Sequence, residues 1–468
     1  MLFSSMTFLF MFLPIVCSVY LLSRKELHNH ILLLASVLFY AWGEPRYLAI
    51  MFATIIVNYI GANYISRSKN LLHRKILLWI TIAVDLSFLF YFKYFNFFVE
   101  NINEAFSAHI NFVKVVMPIG ISFYTFQALS YVVDVYRGEV KAQRDIYKLA
   151  LYICLFPQLI AGPIVKYHDI EEQIDNRTVT FDKVAYGAKR FIIGLSKKML
   201  IANTLGAVAD KIFSQPVEAF DTGIAWLGAI AYSFQLFYDF SGYSDMAIGL
   251  GAIFGFKFLE NFNYPYISKS ITEFWRRWHI SLSTWFKEYL YIPLGGNRVS
   301  KHRTYLNLFI VFLATGFWHG ASWNFIFWGL WHGMFIIFEK ITGWHNKTGS
   351  WKISLSQHLY AIFVFVIGWV MFRAENMSYA WQYIKNMFGL IQEHKIIYEL
   401  PYYIDNIEIF AFVAAILCAM PIFKNILAIR FKRKTARAMV NIWLMMLFIL
   451  STAAIAASTY NPFIYFRF

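Results

Sequence analysis

The chain has 468 residues, of which 59% are hydrophobic, 20% aromatic and only 15% charged, with a mean hydropathy of +0.51; a soluble protein carries about 25% charged residues. This excludes a soluble globular enzyme and specifies an all-α polytopic integral membrane protein. Apolar runs recur from end to end, so residues 1–468 read as a single membrane domain, and the net charge of +15 reads as Lys and Arg concentrated in cytoplasmic loops rather than as a nucleic-acid footprint.

The elements follow in order. Residues 2–22 can span; no positive charge precedes them and no cleavage site stands out, so they read as a retained first helix. Arg24 and Lys25 make the next loop cytoplasmic. Residues 31–42, a turn at Gly43-Glu44-Pro45-Arg46, and 47–65 form a hairpin or a broken helix pair. Arg67, Lys69, Arg74 and Lys75 again mark the cytoplasm. Residues 76–91 cross outward, 101–111 form a polar external loop, and 115–135 return. Residues 149–165 are apolar but broken by Pro157, Gly162 and Pro163 and flanked by basic residues. That is the pattern of a re-entrant segment, because irregular backbone at membrane depth needs protein or water around it.

Within the polar interval 167–211, residues 184–201 carry Lys189, Arg190, Lys197 and Lys198 among apolar residues. They read as an amphipathic helix on the cytoplasmic interface. Two apolar runs, 224–237 and 246–256, are separated by a polar string containing Asp239 and Asp245. Residues 257–303 are dense in aromatics and cations. Residues 359–372 span, 373–406 are external or interfacial, 407–422 span, 424–437 are basic and cytoplasmic, and 438–460 span outward. The count is about eleven membrane passes or re-entrant segments of about 20 residues each. No internal repeat is evident, which argues against a transporter built from inverted repeats. Cys17, Cys154 and Cys418 each sit in an apolar run, with no disulfide framework and no metal spacing.

Three stretches can carry chemistry. Residues 303–339 have no charged residue between Arg303 and His319, and between His319 and Glu339 the only titratable group is His332. An ionisable group in so apolar a stretch faces the protein interior or a wet cavity and marks a functional site; the bland alternative is a histidine hydrogen-bonded between packed helices. Counted along a helix from Tyr305, His319 lies about 21 Å in. Trp318, Gly320, Ser322, Trp323 and Asn324 flank it, with small residues for close approach and polar groups to orient an imidazole.

In residues 271–298, Trp275, Trp278, Leu282, Trp285 and Tyr289 share one helical face, away from Arg276, Arg277, Lys287 and Glu288. An interfacial helix with snorkelling cations accounts for these. It does not account for His279 or for Gly295-Gly296-Asn297-Arg298. A cytoplasmic pocket with several guanidinium groups suits a phosphate-bearing donor. In residues 118–137, Gln127, Ser130, Tyr131 and Asp134 line either one wet face or a helix-packing stripe. Asp239 and Asp245 are either reactive acids or partners of Arg276 or Arg277.

Six strings, PIGISFYTFQALSYVVDVYRGE, FPQLIAGPIVKYHDI, YDFSGYSDMAIGLG, NFNYPYISKSITEFWRRWHISLSTWFKEYLYIPLGGNR, GFWHGASWNFIFWGLWHG and the terminal NPFIYFRF, resemble the membrane-bound O-acyltransferase superfamily. Within it they look like the bacterial branch that O-acetylates polysaccharides such as alginate and peptidoglycan, and the resemblance runs along nearly the whole chain. It implies a ring of helices around a thin central region, with an external funnel and a cytoplasmic opening meeting near His319. It implies a bacterial inner-membrane enzyme in which His319 is catalytic and His279 is a second histidine on the cytoplasmic side of the chamber. Arg276, Arg277, Trp278, Trp323, Asn324, Gln127, Tyr131 and Asp239 are the candidate substrate- and donor-binding residues. The donor would be cytoplasmic acetyl-CoA, with no metal. The acetyl group would pass outward, with an extracytoplasmic acetyltransferase partner protein, to a polysaccharide hydroxyl.

Such a transfer needs a base for the hydroxyl proton and donors for the developing oxyanion. His319 is the expected base, or alternatively a transient acetyl carrier; Asn324, Ser322 or Trp323 would orient it or polarise the carbonyl. The rival within the superfamily is a D-alanyl exporter of teichoic-acid type, which uses a carrier-protein thioester. Outside it stand a flippase and a non-catalytic scaffold.

Overall fold

The computed structural model describes residues 1–347, 349–391, 395–422, 434–458 and 460–463, and among these every regular element is helical. Among the described residues, five helices are long and apolar enough to cross a membrane: Pro45–Arg67, Leu71–Phe106, Phe181–Phe213, Trp351–Arg373 and Ala438–Ala457. Phe8–Leu22 and Asn406–Cys418 are shorter apolar helices. Ile442, Met445, Met446 and Ile449 on the last long helix stay exposed, as a lipid-facing surface does. The chain is a multi-pass membrane protein. Residues 424–433 of the basic run and 464–468 of the terminal string lie outside the described residues.

The chain divides into two compact units, residues 1–191 with 244–259, and residues 192–243 with 260–468. In the first unit the helix Ile121–Arg137 is buried at every position from Ile121 to Val132 and packs against Leu48–Arg67 and Leu71–Leu89. Gly120 starts it at φ 79°, where a Cβ would stand 2.8 Å from the Leu159 carbonyl oxygen, so the turn needs glycine twice over. The expected re-entrant stretch is two short helices, Ile146–Cys154 and Phe156–Leu159, and everything from 149 to 167 is buried. Protein groups satisfy its irregular backbone. Phe156 N donates to Ser36 Oγ at 3.1 Å, and Tyr152 Oη donates to the Val165 carbonyl at 3.0 Å. The helix expected to end before residue 101 instead runs to Phe106, and the left-handed Ser107 closes it.

Two expectations for residues 184–256 need correction. The segment 184–201 is not an interfacial helix of its own: the chain is helical from Phe181 to Phe213. Lys198, whose charge suggested the interface, is buried and pairs with Asp239 at 2.7 Å within the second unit. The two apolar runs around Asp239 and Asp245 are not separate either. They form one helix, Thr222–Ile253. Both carboxylates are neutralised in place, Asp239 by Lys198 at 2.7 Å and Asp245 by Arg190 at 2.6 Å, so neither forces a break.

In the second unit the apolar stretch 303–339 folds as a helical hairpin, Lys301–His319 and Trp323–Thr342. A Cβ on Gly316 would meet the Phe325 carbonyl at 2.3 Å, and one on Gly329 the Phe312 carbonyl at 2.3 Å. The helices therefore touch backbone to backbone, the use membrane proteins make of small residues. Ser322 caps the second helix, accepting from Asn324 N at 3.3 Å. The helix expected through Trp275 to Tyr289 is broken into Ile271–Arg277 and Ile280–Phe286, with His279 at φ 44° between them.

Candidate functional site

His319 is the last residue of its helix, and Gly320 follows with no space for a side chain: a Cβ there would lie 2.2 Å from the Phe325 ring. The imidazole is buried among aromatics. It lies edge to face with Trp318 at 4.9 Å, Trp328 at 4.8 Å and Phe372 at 5.3 Å. Trp318 also lies 6.1 Å from the ring of His279. One indole thus links the two histidines singled out from the sequence.

His279 occupies a left-handed conformation that costs a non-glycine residue energy and is held only where the surroundings over-determine it. Asn261 supplies that constraint. Its carbonyl accepts from Ile280 N at 2.9 Å. Its Oδ1 accepts from Ser281 N at 3.2 Å and Ser281 Oγ at 2.9 Å, and lies 3.1 Å from His279 Nδ1. A backbone N–H can only donate, so the Asn261 atom facing Ser281 is the oxygen. His279 Nδ1 therefore carries the proton and Nε2 keeps the lone pair. Nε2 is buried with no hydrogen-bond partner among the described residues.

The third histidine of the hairpin, His332, is fully buried. Its ring is parallel to Phe274 at 6.2 Å, perpendicular to Trp275 at 5.4 Å and 5.2 Å from Trp328. Seven residues on, and so on the same helix face, the buried Glu339 accepts from Ile271 N at 2.5 Å and Thr272 N at 2.9 Å. It caps the short helix that carries Trp275 and leads into His279. Sequence reasoning missed Glu339, Asn261 and the box around His332. The one signal available was the seven-residue spacing of two titratable groups in an otherwise apolar helix.

The other sequence candidates are distributed as follows. Arg276 is exposed. Arg277 is committed to Glu273 at 2.9 Å and to the Asn263 carbonyl at 3.0 Å. Trp278 is buried against Trp369 at 4.9 Å and Phe262 at 5.1 Å. Asp239 and Asp245 pair with Lys198 and Arg190, not with Arg276 or Arg277. Asn324 is buried and donates to the Ala374 carbonyl at 2.6 Å, whereas Trp323 is 52% exposed.

Gln127 and Tyr131 belong to the first unit. Gln127 is buried with neither amide atom paired among the described residues, and Tyr131 Oη accepts from Gln143 N at 2.8 Å. The same unit brings Asp134, Glu139 and His168 within metal-like distances of 4.8 Å. Each ring nitrogen of His168 already faces a carboxylate, Asp134 at 2.9 Å and Asp169 at 3.3 Å. The Asp134 bond above all raises the His168 pKa to about 10. The cluster is a charged hydrogen-bond network of the kind that keeps an imidazolium protonated.

The second unit thus brings two buried imidazoles, those of His319 and His279, against one indole, Trp318. This arrangement can take a proton from a hydroxyl and return it to a leaving group. Comparison with known proteins gives the class. The family model described as MBOAT, membrane-bound O-acyltransferase family, matches residues 141–382, which include Arg276, Arg277, His279, His319 and His332. The chain is 48% identical to a probable alginate O-acetylase of Pseudomonas syringae pv. tomato, over 83% of this chain and 75% of the relative. It is 41% identical to one of Pseudomonas putida across 100% of both chains. It is 36% identical to a peptidoglycan O-acetyltransferase of Helicobacter pylori, over 83% of this chain and 80% of the relative. A site of buried imidazoles, a fold of apolar helices and likeness of this extent lead to one conclusion: the chain belongs to the membrane-bound O-acyltransferase family and is an acyltransferase.

Proposed function

We propose that this acyltransferase takes acetyl groups from cytoplasmic acetyl-CoA and delivers them across the inner membrane of a bacterium for O-acetylation of an extracytoplasmic polysaccharide. About eleven passes or re-entrant segments of about 20 residues each would carry the reaction centre. The observation that carries the proposal is the placement of His319 at a helix end among Trp318, Trp328 and Phe372, with His279 also against Trp318. The relatives named for alginate and peptidoglycan O-acetylation support acetyl as the group and a polysaccharide as its destination.

In this reading His319 accepts the proton of the acceptor hydroxyl as its oxygen attacks the thioester carbonyl. The carbon–sulfur bond then breaks and the proton passes to the sulfur of CoA. The acceptor is a sugar hydroxyl or a hydroxyl of the extracytoplasmic partner protein. Arg276, exposed on the donor-facing segment, is the guanidinium available to a phosphate, since Arg277 is held by Glu273.

The test is CoA release from radiolabelled acetyl-CoA by the purified protein, with and without the partner. His319→Ala and His319→Gln lower it by about 100-fold or more, the range lost with a general base. Release unchanged in both variants removes His319 from the chemistry. No release by the wild type with partner present moves the donor to a carrier-protein thioester.

A further inference from the structure

Of the groups expected to polarise the acyl carbonyl, Asn324 donates to Ala374, Ser322 caps the helix by accepting from Asn324 N, and Trp323 is half exposed. A different set of donors is joined to the proposed base through Trp328. Trp275 Nε1, Trp328 Nε1 and both ring nitrogens of His332 are buried, and no described residue bonds to any of them. An indole nitrogen can only donate, and a neutral imidazole always carries one N–H. Three N–H donors therefore share one aromatic box with no acceptor among the described residues. The three rings are mutual neighbours, with centroids 5.4 Å apart for Trp275 and His332, 5.2 Å for Trp328 and His332, and 5.7 Å for Trp275 and Trp328. The same Trp328 lies 4.8 Å from His319, its ring at 87°.

Packing alone does not explain this composition. Phe274 and Phe372 fill neighbouring positions of the box without polar atoms, and buried polar groups in native proteins almost always have a partner. Unpaired donors at a reaction centre are what a developing oxyanion requires. The imidazole of His332 is held in its plane by Phe274 on one side, 6.2 Å away at 8°. Gly368 packs against its Nε2, where a Cβ would stand 2.8 Å away.

We infer that Trp275, Trp328 and His332 are the donor set for the carbonyl oxygen of the acyl thioester. This deepens the function proposed above and rests on it. The acceptor oxygen adds its lone pair to the carbonyl carbon, and the C=O electron pair moves onto the carbonyl oxygen, where these N–H groups receive it. Collapse restores C=O and expels the thiolate, which takes the proton held by His319. The ligand class is a carbonyl-bearing thioester arm, not a phosphate or a metal.

Two CoA analogues that do not react separate this inference from the donor reading. Acetonyl-dethia-CoA has a methylene in place of sulfur and keeps the ketone carbonyl; S-ethyl-CoA has none. Their binding to the purified full-length protein is measured by calorimetry, for wild type, His332→Phe and Trp275→Phe. Each variant keeps a ring and loses an N–H. Wild type binds the ketone about tenfold tighter, the worth of a buried hydrogen bond, and the preference shrinks to about threefold or less in the variants. Equal binding of both analogues to wild type overturns the inference and leaves the donor reading standing. A preference unchanged in both variants overturns the assignment to these residues. Binding of neither analogue to monodisperse wild type overturns the inference and the acetyl-CoA donor together. If one variant does not fold, the other carries the comparison, and the wild-type arm needs neither.

Discussion

At the scale of single residues, the site turns on how an imidazole is fixed rather than on which residue carries it. His279 is in an unfavourable backbone conformation, and Asn261 holds it there with its carbonyl and side-chain oxygens together. Removing the side-chain oxygen frees the ring to flip and puts a proton where the lone pair was. Asn261→Ala therefore lowers acyl-donor turnover by about tenfold or more, the loss typical when a partner orienting a functional imidazole is removed. Asn261→Asp, which keeps the acceptor, retains more activity than the alanine variant. Steady-state CoA release by the purified variants checks this; equal rates for Asn261→Ala and wild type would detach His279 from turnover. His319 and His332 stood out in the sequence as ionisable residues in an apolar run, and His279 as a residue that an interfacial helix does not account for. Asn261 did not, because an asparagine in a polar linker is unremarkable until its partner is known.

At the scale of elements, the hairpin of residues 301–342 holds together the parts that the chain separates. Glu339 reaches from its second helix to cap Ile271–Arg277, and the next residues of that segment position Trp278 and His279. Glu339→Ala strips two backbone N–H groups of their acceptor, at about 1–3 kcal/mol for a buried group left unsatisfied. The variant unfolds at lower temperature and releases less CoA, and Glu339→Gln, which keeps one acceptor oxygen, recovers part of both. A thermal-shift series run beside the turnover assay checks this, and an alanine variant with wild-type melting and turnover would contradict it. The broken segment around Pro157 could be read in advance because hydropathy, proline and glycine are local signals. The long helices Phe181–Phe213 and Thr222–Ile253 could not. Their interruptions were inferred from Lys198, Asp239 and Asp245, whose charges are cancelled by partners remote in sequence.

At the scale of the whole molecule, composition already required a polytopic membrane protein, and the charge distribution gives an expectation for its faces. Lys and Arg gather in residues 257–303, which bear Arg276 and lead into the hairpin, and the positive-inside bias gives the expectation that this end faces the cytoplasm, the side from which the proposed CoA thioester would come. Trp351–Arg373 has 23 residues and so runs about 35 Å, enough to cross a hydrocarbon core of about 30 Å. Lys301, at the start of the hairpin, and Glu375, just past that helix, are both exposed. The expected orientation puts Lys301 in the cytoplasm and Glu375 outside. In a background with Cys17, Cys154 and Cys418 replaced, a membrane-impermeant maleimide labels Lys301→Cys in inverted vesicles but not in spheroplasts, and labels Glu375→Cys in spheroplasts but not in inverted vesicles. Reversed labelling would put the aromatic and cationic segment outside, where no CoA thioester is supplied, and the donor would then have to be an extracytoplasmic one. Labelling of both positions from the same side would mean that residues 301–375 cross the membrane an even number of times, and that Trp351–Arg373 is not the outward crossing its length and hydropathy indicate.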